Sequence, residues 1–141
     1  ELTEAAEYYR DKANALASQV GREADGSLKF SDFDTLAAQA ANGFTHLVEE
    51  EGFSVFAGSM LPVKQMTGAV NGVMGETVPL TGEAAVNPNQ PMTVLPFAMC
   101  REMARRMSIA IDGDANMAAF LACQANSSVE FRYSAYFMRP A

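Results

Sequence analysis

Two cysteines, one histidine and a cluster of three arginines are the residues of this chain whose types and spacing could do chemistry. Cys100 and Cys123 lie 23 residues apart. An even count permits one intrachain disulfide, and a loop of that length would stabilise by roughly 3 kcal/mol in the chain-entropy account. It equally permits two buried thiols, since free cysteine is among the most buried residue types. Spacing alone leaves both open. His46 stands between Thr45 and Leu47, beside an apolar stripe. Acid–base catalysis often uses histidine, but no nucleophile signature accompanies it, so it reads as an ordinary surface or boundary residue. Two cysteines and one histidine at these spacings make no recognisable four-ligand zinc set. The chain carries no GxGxxG, P-loop, GxSxG or HExxH motif, and its acidic residues form no pair assignable to hydrolysis. No catalytic, cofactor-binding or metal-binding residue is expected, and the chain does not read as an enzyme. Arg101, Arg105 and Arg106 read as a solvated face near a helix C-terminus, where cations suit the helix dipole.

The charge balance narrows the partners. The net charge of −7 comes from residues 1–51, which hold eleven Asp/Glu and four Lys/Arg, whereas residues 52–141 hold six of each. Nucleic-acid binding through a broad basic face is not expected, because phosphate neutralisation needs clustered Lys and Arg. At 141 residues, with 49% hydrophobic residues and a mean hydropathy of −0.02, the chain reads as one globular domain, 1–141, able to bury a core. No apolar run reaches the ~18 residues that would span a bilayer, and the N-terminus lacks the basic, apolar and small-residue blocks of a secretory signal. The opening ELTEAAEYYRDK reads as the middle of a helix, so the chain is expected to be a processed or truncated form.

The elements that must position these residues are written in their periodicities. Residues 2–20 are rich in good helix formers. Leu2, Ala5, Ala6, Tyr9, Ala13, Leu16, Ala17 and Val20 form a narrow stripe at helical spacing, ended by Gly21. A second helix is expected from a capping start at Ser31 and Asp34, with Phe33, Leu36, Ala37, Ala40, Phe44, Leu47 and Val48 as its apolar face. Glu49–Glu51 would fray into solvent. Residues 52–75 hold five glycines and a proline and read as irregular. ETVPLTG reads as a short strand that Pro79 confines to an edge or bulge, EAAVNPNQP as a loop, MTVL as a strand, and the residues from Pro96 as a helix carrying Cys100. SIAIDG reads as β-rich. Val129, Phe131, Tyr133, Ala135 and Phe137 alternate with Glu130, Arg132, Ser134, Tyr136 and Met138, the period of a half-buried strand. Its end is apolar on both faces, which marks coverage or an interface. The nine methionines read as flexible filler of core and interface. The triplet at Asn126 is formally a glycosylation sequon and carries little weight.

The order PFAMCREMARRM, SIAIDGD, ACQANSSVEFRY resembles the C-terminal region of type IVb pilins, including the conjugation-linked branch. There a strand enters a helix bearing the first cysteine, and the second cysteine precedes the last strand. The resemblance covers about the last 70 residues well and the first 60 loosely. It implies a pilin-like α+β fold, with the N-terminal helix (1–21, remnant of a longer apolar helix) and a second helix on an antiparallel sheet of four or five short strands. It also implies a Cys100–Cys123 disulfide bounding residues 91–138. The function implied is that of a non-catalytic subunit of a type IV pilus, major or minor, serving adhesion, aggregation or conjugative contact. Its partners would be other pilin subunits, touched through Tyr8, Tyr136 and Met138. Its place would be the inner membrane's periplasmic face, held by the missing helix, and then the extracellular fibre. The alternative reading is a periplasmic binding, immunity or secretion-system accessory module that does not polymerise.

Overall fold

The computed structural model describes residues 2–21, 30–67, 73–78, 81–109 and 111–138. Six α-helices dominate it: α1 (Leu2–Ala17), α2 (Phe33–Gln39), α3 (Ala41–Glu49), α4 (Leu95–Arg106), α5 (Asp112–Ala125) and α6 (Val129–Met138). Three short strands, β1 (Lys64–Gln65), β2 (Gly75–Val78) and β3 (Glu83–Val86), form a mixed sheet in the order β1-β3-β2. β3 runs parallel to β1 and antiparallel to β2, with Thr77 opposite Ala84 and Glu76 opposite Ala85. The class is α+β. Among the described residues the sheet has three strands, not the four or five expected.

α4 is the centre of the molecule. It packs against β2 and β3 on one side and against α5 and α6 on the other. Leu95, Phe97, Ala98, Met99, Cys100, Met103 and Ala104 are all buried, so the hydrophobic driving force acts nearly all round this helix. Pro96 sits in its first turn, where its missing N–H and fixed φ are no handicap. The expected MTVL strand is instead the turn that enters α4: the N–H groups of Val94 and Leu95 both donate to the Pro91 carbonyl. EAAV, expected as a loop, is the central strand β3. The β-rich reading of SIAIDG also fails, because Ser108 adopts a left-handed φ of 75° after α4 and α5 begins at Asp112.

The C-terminal strand is the largest correction. VEFRYSAYFM is the helix α6, in contact with α1, α4 and α5. Covered on three sides, it needs apolar residues at most positions, and such a segment carries no helical period to set against the alternation. Phe131, Tyr133, Ser134, Ala135 and Tyr136 are buried. Ser134 Oγ donates to the Thr93 carbonyl at 2.6 Å and accepts from the Phe97 N–H at 3.2 Å, which pins α6 to the start of α4. Glu130, expected on an outward face, accepts from both the N–H and the hydroxyl of Ser31 at 3.0 Å. Ser31 is therefore not the helix cap. Asp32 caps α2 by accepting from the Thr35 N–H at 2.9 Å, and hydrogen bonding from the Thr35 side chain, then from its N–H, holds the carboxyl below the ordinary range.

α1 lies along α6 instead of on the sheet. Tyr9 on its stripe meets Phe120 and Tyr136, with ring centroids 6.0 Å from each. The expected second helix is two helices, broken at Ala40, and α3 leans onto α5. Their approach is close: a Cβ on Gly43 would lie 1.8 Å from the Ala122 carbonyl oxygen. No side chain fits there, and the alanines of α5 make the facing surface thin. The turn at 22–27 and the edge position expected for Pro79 lie outside the described residues.

Candidate functional site

The two cysteines face each other's helices inside the α4–α5 contact, and both are free. The expected disulfide is not formed, and Cys100 and Cys123 are wholly buried. The Cys123 thiol donates to the Pro96 carbonyl at 3.6 Å. Burial, reinforced by the neighbouring Cys100, pushes its pKa well up, so it stays protonated and unreactive. These are packing thiols.

Chemistry gathers on the opposite face of α4. Glu102 is fully buried there, against β2. Its Oε1 accepts from the Thr77 hydroxyl at 2.9 Å and lies 3.8 Å from Arg105 Nη1. Its Oε2 lies 3.4 Å from Arg101 Nη1. Both arginines also reach Asp112 at the start of α5: Arg101 Nη2 lies 3.6 Å from Oδ1, and Arg105 Nη2 donates to the same oxygen. Gly75 makes room for this arrangement, since a Cβ there would come within 2.7 Å of Glu102 Cγ and of the Ala85 carbonyl oxygen. Loss of water is the strongest influence on Glu102 and raises its pKa; the Thr77 bond and then the two guanidiniums oppose it, and Asp112 adds to the rise.

Arg101 and Arg105 therefore do not form the solvated face expected of them. They turn inward, with side chains only 15% and 25% exposed. Arg106 takes a different path and donates to the carbonyls of Ser59 (3.3 Å) and Leu61, tying that loop to the end of α4. The sequence reading missed Glu102, although a signal was present. It is the only acidic residue in LPFAMCREMARR, flanked by Met99 and Met103 on the apolar face and by arginines at −1 and +3. A lone carboxylate at a core position, with two cations in reach, is the pattern of a buried ion cluster.

The run Arg101-Glu102-Met103-Ala104-Arg105 has the spacing of the H-E-x-x-H zinc helix, with arginine at both histidine positions. Guanidinium has five N–H donors and no lone pair to give a metal. Where such a helix would hold a cation, this one presents two positive charges. No group of three or more His, Cys, Asp or Glu suited to a metal occurs among the described residues. Glu102 itself is sealed from solvent.

The other expected site residues scatter. His46 is exposed and lines a shallow groove between α3 and α5 with Leu47, Phe53 and Leu121. Tyr8 is 52% exposed, with Lys12 Nζ 5.7 Å above its ring. Tyr136, expected at a subunit contact, is instead a core residue whose hydroxyl accepts from Gln124 Nε2 at 2.8 Å. Met138 is half-buried at the end of α6. The sequon asparagine, Asn126, is buried, its amide donating to the Gln39 carbonyl and accepting from the Ser128 N–H. No described helix is long and apolar enough to cross a membrane.

Comparison with known proteins returns no matching curated protein and no matching solved structure. One family matches over residues 1–139, described as "Protein of unknown function (DUF3810)". By that match over almost its whole length, the chain belongs to the DUF3810 family.

Proposed function

We propose that this domain is a non-catalytic binding module that does not polymerise, built around a helix whose metal-ligand positions are occupied by arginine. The observation that carries the reading is Glu102: a fully buried carboxylate held between Arg101, Arg105 and Thr77 at the spacing of a zinc helix. The guanidiniums supply in place the positive charge that a metal would otherwise bring, so the helix can keep its glutamate buried without a cofactor. The pilin-like order of elements on which the fibre-subunit reading rests does not support it further, since the closing strand is α6 and the cysteines are free. That reading keeps one supporting observation, the exposed ring of Tyr8.

Calorimetric titration with zinc tests the proposal. The wild-type protein is expected to bind none stoichiometrically. The double variant Arg101→His/Arg105→His, with both imidazoles on one helix face and Asp112 as the third ligand, is expected to bind one zinc. Stoichiometric zinc binding by the wild type would refute the proposal.

A further inference from the structure

The arginine pair has two sides. From behind, Glu102 and Thr77 fix it to α4 and β2. In front, its charged partner among the described residues is Asp112, whose side chain is 69% exposed on the first turn of α5. The balance of charge is uneven. Glu102 answers one guanidinium, and the second is answered by a surface carboxylate that can swing into water at little cost. Exposed ion pairs of this kind are weak. Arg105 Nε is buried and has no hydrogen-bond partner among the described residues. A buried donor without an acceptor is costly, and Arg106 Nε and Arg132 Nε share that state.

We propose that Arg101 and Arg105 form a binding site for the carboxylate of a ligand, which takes the place of Asp112. Asp112 is the intramolecular stand-in for that ligand. Two planar forks held from behind suit a carboxylate's two oxygens, and their fixed setting lowers the ordering cost of binding. Room for the rest of the ligand lies next to the pair. Met74, whose sulfur is 3.6 Å from Arg101 Nη1, also lines a cleft of about 350 Å³ with Val73, Asn87, Asn89, Gln90 and Val94. Its apolar walls and side-chain amides suit a short peptide or a small organic acid.

This proposal rests on the non-catalytic reading of α4, and its test fails separately from the zinc titration. The probes are N-acetyl-tetra-alanine with a free C-terminus, its C-terminal amide, and sodium acetate, each added to ¹⁵N-labelled full chain. The readout is the Nε–Hε resonance of Arg105, with dissociation constants from the shift. The free-carboxylate peptide is expected to shift that resonance saturably and the amide is not. Asp112→Ala is expected to bind the free-carboxylate peptide about fivefold more tightly than wild type, because the competitor is gone. Adding Arg101→Gln to Asp112→Ala is expected to abolish the effect. Acetate acting as strongly as the peptide assigns the site to small acids, and a peptide effect alone assigns it to chain termini. Either outcome supports a carboxylate site. An equal shift from the amide, or no shift in both wild type and Asp112→Ala, overturns it.

Discussion

The two faces of α4 bury two kinds of reactive group, and they are handled in opposite ways. Toward α5, Cys100 and Cys123 are sealed among apolar side chains, with one carbonyl as hydrogen-bond partner to Cys123. Toward the sheet, Glu102 is equally sealed but surrounded by two guanidiniums and a hydroxyl. A thiol behaves as a small hydrophobe and can be buried with little provision. A carboxylate cannot, because its lost hydration must be replaced by protein groups. Burial quenches the cysteines, whereas on the other face it makes a built polar site. Residue type drew attention to the first face; only the packing reveals the second.

The largest expected effect separates the faces directly. Glu102→Ala removes the anion between two guanidiniums and the shorter of the two acceptors of the Thr77 hydroxyl, so it should cost about 3–5 kcal/mol in urea unfolding. Cys123→Ala, on the other face, should cost about 1 kcal/mol, the worth of one small buried apolar group. Equal costs would erase the distinction.

Acidity sharpens it. Glu102 has a folded pKa raised above its unfolded value, so the folded state binds its proton more tightly. Its contribution to stability is complete below the unfolded pKa and declines as pH rises through the folded pKa. Glu102→Gln should flatten the wild-type loss of stability on that rise, as followed by urea midpoints across the acidic-to-neutral range. A Gln variant with an unchanged slope would assign that pH dependence to another group.

The smallest effect is kinetic. Full burial of both thiols, with the raised pKa of Cys123, should keep them unreactive toward a soluble disulfide reagent in the native protein. Two equivalents should react once the chain is unfolded in denaturant. Fast modification of a native thiol would mean that the α4–α5 contact opens readily.

How much of this could be read from the chain follows the same division. α1 and α4 were legible, because an Ala-rich stripe and a proline-led helix carrying Cys100 state their type locally. The break at Ala40 was not, since Ala40 lies in the same apolar register as Ala37 and Phe44. α6 was misread because a helix covered by three others needs apolar residues on nearly every side, which removes the period that identifies it. β3 was hidden by the Asn-Pro and Gln-Pro steps that follow it. The disulfide expectation depended on an order of strands that the chain does not adopt. In the site, the arginines were seen and misassigned, because a cluster of cations on a helix is usually solvated and nothing local shows that β2 folds over it. Thr77 and Gly75 join Glu102 from 25 and 27 residues away.

The central claim is that Glu102 and its arginines act as one unit. A double-mutant cycle between Glu102→Gln and Arg105→Gln, read by urea unfolding at neutral pH, tests it most directly. Residues that share one ion cluster are coupled by about 0.5–3 kcal/mol, and the geometry here predicts a coupling of at least about 1 kcal/mol, with the double variant less destabilised than the sum of the singles. Additive single effects would show that the carboxylate and the guanidinium are only neighbours, and would contradict the account.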